Sequence, residues 1–292
     1  MYYLLIVISV MMFGGCFALN DGYRKLNGSS MKVSLRFSLV GSLAGFLFLT
    51  LINGFQLEFT PFTLIMALIA ALNGFGFTLC SFKALDRINL SLYSLFSMLG
   101  GMVLPFVQGI LFYGEAVTVA KVLCLLCITA ALALTVQKGE RKTGTVYYAC
   151  SFVLNGMSGV LSKLFAEAPY SKTSATGYTM WISICTVVIA AVLLLTVFRK
   201  RQSGDGLPGR KQLIAGTAIG AAAGITNRLA NLLLVLALAH VDASVQYPMV
   251  TGGVMIVSTL ICCFSANKPS KKEILSVVVA FVGLLLLFAI PM

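Results

Sequence analysis

Charge is what this 292-residue chain has least of: 10% of its residues are charged, and only nine are acidic. Soluble domains carry about 25% charged residues. With 59% hydrophobic residues and a mean hydropathy of +0.97, the chain is no water-soluble globular protein. It has one histidine, His240, and one tryptophan, Trp181. A single histidine leaves no His/Asp cluster or metal-ligand spacing, so no cofactor, metal or enzymatic chemistry is expected. The amino-terminal stretch lacks a basic n-region, and Phe-Gly-Gly-Cys ending at Cys16 matches a lipoprotein cleavage site only loosely. A retained first helix is the expectation.

Apolar runs are what the chain does have, end to end. Each is about 20 residues, enough to cross about 30 Å of hydrocarbon as a helix. Ten spans are predicted, at 2 to 19, 33 to 52, 62 to 82, 90 to 113, 118 to 136, 145 to 166, 174 to 198, 212 to 239, 244 to 264 and 273 to 291. Their continuity excludes the short alternating strands of a barrel. The eight cysteines lie in or beside these runs, so a disulfide framework is not expected. Cys124 and Cys127 are spaced as a CxxC, but no second pair completes a zinc site.

The net charge of +12 follows membrane topology and does not point to nucleic acid. Seventeen cations fall in alternate connections, including Arg24, Lys83, Lys142, Arg199 and Lys271, against Lys121, Lys163 and Lys172 on the other side. Positive loops stay in the cytoplasm, so both termini are expected outside the plasma membrane. The predicted organisation is a five-helix repeat over 1–137, a cytoplasmic linker over 138–144 and a second five-helix repeat over 145–292. Sliding the chain by 153 residues lays Ala84-Leu85 on Ala237-Leu238, Ser91 on Ser244 and Gly100 on Gly253. Odd-numbered repeats sit inverted in the membrane, an arrangement typical of transporters with alternating access.

Residues 84 to 135 carry Ala84-Leu85 closing the third span, Pro105 within the fourth and Gly114-Glu115 opening the turn to the fifth. This segment resembles the repeat of the EamA-like family in the drug/metabolite transporter superfamily. The resemblance implies an all-α fold of ten transmembrane helices in two inverted five-helix repeats, with the fourth and ninth spans beside a central cavity. The second half departs from the motif, with Asn267-Lys268-Pro269 in place of Gly-Glu and Pro248 early in its span. Small multidrug-resistance relatives use a glutamate in the first helix. The first span here has no such acid, which disfavours export of cationic drugs by that mechanism.

Arg228 is the candidate that costs most to place, because an arginine near the bilayer centre costs at least about 2.5–3.5 kcal/mol. All nine acids are assigned to loops or span ends, so the guanidinium is suited to an anionic group held by a two-pronged hydrogen bond. Asn227 and Asn231 share its helical sector. The structural alternative pairs Arg228 with helix carbonyls or with an end-of-span acid such as Glu115 or Asp242. The eighth span also carries Gly216, Gly220 and Gly224, a GxxxGxxxG strip read as a packing surface.

On the sixth span Ser151, Asn155, Ser158 and Ser162 form one polar face, which either lines the cavity or bonds a neighbouring helix. Lys163 beside it is expected to reach the headgroups, with help in collecting anions as the alternative. Tyr93, Ser97, Tyr247 and Thr251, with Gln108 and Gln246, are candidates on the fourth and ninth spans, and Asn73 on the third.

The expected function is secondary transport of a small anionic or zwitterionic metabolite by alternating access, in a monomer or homodimer within the lipid bilayer. A lipid-head-group or lipid-carrier flippase uses the same arginine. A membrane-embedded enzyme or scaffold is the alternative of a different class.

Overall fold

The computed structural model describes residues 1–28, 30–85, 90–134, 145–196, 210–263 and 270–289, and ten helices make up most of them. They are α1 (Tyr2–Asn27), α2 (Met31–Ile52), α3 (Pro61–Leu85), α4 (Leu90–Tyr113) and α5 (Val119–Leu134). After these come α6 (Thr145–Glu167), α7 (Ala175–Thr196), α8 (Arg210–Leu238), α9 (Ala243–Cys263) and α10 (Lys271–Ala289). Among the described residues nine helices are long and apolar enough to cross a membrane, and α5, of 16 residues, is shorter. The chain is a multi-pass, all-α integral membrane protein.

Local chemistry sets the helix ends. Thr60 caps α3 through Thr63 N–H, with Pro61 at the first position, where its missing N–H costs nothing. Ser270 and Glu273 form a reciprocal capping box on α10, with Ser270 N–H donating to Glu273 Oε2 at 2.6 Å. Helix α1 continues eight residues beyond its expected end at residue 19, through polar Asn20, Arg24 and Lys25. Hydropathy marks where a helix leaves the apolar region, whereas the stop is Gly28, whose φ of 85° breaks the helical path.

The chain divides into two compact units that cut across chain order. One comprises Met1–Gly14, Asn73–Ala168 and Leu233–Met292; the other comprises Gly15–Leu72 and Pro169–Leu232. In the first, α4 packs on α6 and α9, and α5 on α10. Its core includes Ile6, Met102, Cys124, Ile128, Leu132, Met255 and Leu287. In the second, α2 packs on α7, with Leu49, Met180 and Leu232 at the centre.

Glycines bring the helices close. A methyl group at Gly100 of α4 would strike the Phe152 backbone of α6, and one at Gly253 of α9 would lie 2.8 Å from Val10 of α1. In the second unit Gly224 of α8 meets Gly41 of α2, and a methyl group at Gly45 would stand 2.5 Å from Arg228 Cγ. Two GxxxG segments, Gly41 to Gly45 and Gly220 to Gly224, thus face each other, as small residues do where helix backbones approach.

Candidate functional site

Arg228 lies ten residues, about 15 Å at 1.5 Å per residue, from the Leu238 end of α8. Its aliphatic stem rests on Gly45, where any side chain would fill the space. Its Nη2 donates to Ser42 Oγ of α2 at 2.9 Å and, at 3.4 Å, to Thr186 Oγ1 of α7. Thr186 in turn donates to Ile182 O at 2.7 Å, so toward the arginine its hydroxyl only accepts. Among the described residues no carboxylate pairs with Arg228. A guanidinium has five N–H donors, and Nη2 supplies two. Nε and Nη1 make no hydrogen bond, and neither is among the buried atoms without a partner. Each therefore keeps some exposed surface and has no partner among the described residues.

Asn227 and Asn231 share the arginine's sector, but they bond to each other. Asn231 Nδ2 donates to Asn227 O at 2.8 Å and to Asn227 Oδ1 at 3.1 Å. The sequence shows the sector and misses the partners. The one trace of them is the Gly41-to-Gly45 spacing beside Ser42, which marks a face where another helix comes close.

The remaining candidates belong to the other unit, where α6 serves as a polar seam. Asn73 of α3 donates to Leu154 O at 2.9 Å and Ser158 Oγ at 3.1 Å. Asn155 reaches Ser97 O of α4 at 2.7 Å, Gln108 reaches Val160 O at 3.2 Å, and the Tyr247 hydroxyl of α9 reaches Gly159 O at 3.0 Å. Ser162 bonds within its own helix, to Ser158 O. Two stripe side chains, Asn155 and Ser158, thus bond α4 and α3, while Gln108 and Tyr247 bond the α6 backbone beside the stripe. Ser158 remains exposed near the middle of α6, a position where a polar group belongs beside water and not beside lipid tails. Thr251 is half-buried on α9, and the Tyr93 side chain lies outside the described residues.

Lys163 corrects an expectation: it does not reach toward headgroups. Its side chain is 5% exposed and pairs with Glu115 at 3.3 Å and Glu167 at 3.1 Å, with the Tyr113 ring 5.4 Å away. Glu115 explains the Gly-Glu pair in physical terms. Gly114 takes a φ of 65°, turning the chain so that the carboxylate folds back against Gly109. It then accepts from Ala243 N–H at 2.8 Å and Ser244 N–H at 2.9 Å, at the positive end of α9. Nearby in the same unit Lys121 pairs with Asp242 at 2.7 Å, and His240 stacks on Tyr2 with centroids 3.9 Å apart. Both end-of-span acids proposed for Arg228 thus have lysine partners of their own.

No family model matches the chain, and no curated protein matches it. Solved structures are similar in fold: the crystal structure of one protein, 16% identical, aligns over 97% of this chain and 97% of that one with a TM-score of 0.74.

Proposed function

We propose that this chain is a secondary transporter of the EamA-like, drug/metabolite type, carrying a small anionic or zwitterionic metabolite by alternating access, with Arg228 as the anion-binding group. One observation carries the reading: Arg228 is mid-helix in a membrane span, held by two hydroxyls through Nη2 and by no described carboxylate, with Nε and Nη1 making no hydrogen bond. A charge so placed is costly unless something neutralises it, and a substrate anion does so.

An inverted-repeat layout is supported by the way helices pair five apart, α2 with α7, α4 with α9 and α5 with α10. Gly100 and Gly253, equivalent at an offset of 153, each seat a crossing helix, α6 and α1 respectively. Such pairing is what a pseudo-two-fold axis produces. The loop charges support termini on the outer side, since Lys121 and Lys163, two of the three cations there, are neutralised by Asp242, Glu115 and Glu167.

The test is a thermal-shift panel on detergent-purified protein with anionic, zwitterionic and cationic metabolites of matched size. A ligand that binds the folded state raises its midpoint. Anions raise the midpoint of wild type and not of Arg228→Gln. Stabilisation by cations alone, or an equal response in the variant, removes the anion site.

A further inference from the structure

Both hydrogen bonds to Arg228 leave from one nitrogen, and that nitrogen is common to both two-pronged edges of a guanidinium. One edge pairs Nη2 with Nη1 and the other pairs Nη2 with Nε. With Ser42 and Thr186 both accepting from Nη2, the nitrogen shared by the two edges is already engaged, so a full-strength two-pronged contact needs a hydroxyl to withdraw. The two hydroxyls are not equivalent. Ser42 is buried and bonds at 2.9 Å, whereas Thr186 is half-buried and bonds at 3.4 Å, near the limit of a useful hydrogen bond. Thr186 also keeps its own bond to Ile182 O, so it loses no donor partner when the arginine leaves it.

We infer that Thr186 is a placeholder for the substrate oxyanion: it occupies one guanidinium edge in the empty protein and yields that edge to the ligand, while Ser42 anchors Nη2 throughout. This rests on the anion-site reading above and names a specificity-determining pair within it. The ligand chemistry is a planar pair of anionic oxygens, from a carboxylate or a phosphate ester. Recognition then includes an exchange, one weak hydroxyl for a two-pronged charged contact. Cations and neutral molecules gain nothing from that exchange, so the placeholder sharpens selection for anions.

Phenylglyoxal, which adds across the two terminal nitrogens of an arginine and so needs Nη2 released, reads the engagement of that nitrogen without a known substrate. The full-length protein in detergent is labelled, and modification of Arg228 is followed by peptide mass spectrometry against exposed Arg210 as the internal standard. Thr186→Val labels about fivefold faster than wild type, the scale of one released hydrogen bond. Thr186→Ser, which keeps the hydroxyl, stays at the wild-type rate. Inorganic phosphate and succinate are added as protectants, and the one that shields Arg228 tells phosphate from carboxylate recognition. Ser42→Ala weakens that shielding.

Equal labelling of wild type and Thr186→Val overturns the placeholder and leaves the anion site standing. So does a Thr186→Ser rate that matches Thr186→Val. Shielding by neither anion in Thr186→Val, with Arg228 labelled, overturns the exchange. An Arg228 that never labels while Arg210 does overturns both readings.

Discussion

The two units treat the cations within their helices in opposite ways. In the unit containing α5, α9 and α10, Lys163 has Glu115 and Glu167, and Lys121 has Asp242 and the Ala116 carbonyl. In the unit containing α2 and α7, Arg228 has two hydroxyls. Desolvating a charge costs several kcal/mol, and a chain that supplies carboxylates for two lysines is capable of supplying one for an arginine. The difference separates cations matched by carboxylates from one matched by hydroxyls, and the proposed anion site rests on that difference.

That contrast breaks most readily at Glu115. Glu115→Ala leaves Lys163 with one half-exposed partner and uncaps α9, and about 3–5 kcal/mol of stability is expected to go, the range for breaking a buried pair. Thermal unfolding in detergent measures it. Adding Lys163→Met recovers part of the loss; if it recovers none, the damage lies in the α9 cap alone.

Glycine contacts test whether the two units are packed by the same rule. Gly100→Ala and Gly224→Ala each drive a methyl group into backbone, of Phe152 and Gly41 respectively. Each is expected to cost about 1–3 kcal/mol by overpacking. A loss in one unit and not the other would show that only one has a rigid crossing.

Arg228→Met sharpens the comparison from the other side. No described carboxylate is stranded by it, so stability is expected to stay within about 1 kcal/mol of wild type while anion-induced stabilisation disappears. A loss as large as that of Glu115→Ala would make Arg228 structural. The smallest effect is expected at the α6 seam, where Asn73→Ala or Asn155→Ala removes interhelical hydrogen bonds worth about 0.6 kcal/mol each.

Much of this architecture is legible in the sequence, because a 20-residue apolar run carries its own length signal. The end of α1 is not, since polar residues continue a helix until a conformational break, here Gly28. Arg228 is legible because its cost is intrinsic to one position. Its partners are not: Ser42 is 186 residues away and Thr186 is 42 away, and nothing local connects them. Lys163 is misread for a similar reason. The carboxylate that draws it inward, Glu115, sits in a turn whose course depends on the φ of Gly114 and on the position of α9.

Helices that pair five apart also impose an order on biogenesis. Helix α2 begins at Met31 and its partner α7 at Ala175, so at about 5–20 residues per second the ribosome takes roughly 7 to 30 s to deliver the second after the first. For that interval α2 sits in the bilayer without the surface it finally packs on, and α4 and α5 wait similarly for α9 and α10. The amino-terminal half is thus a set of inserted helices awaiting complements. Separately expressed halves are expected to be short-lived alone and to persist when made together.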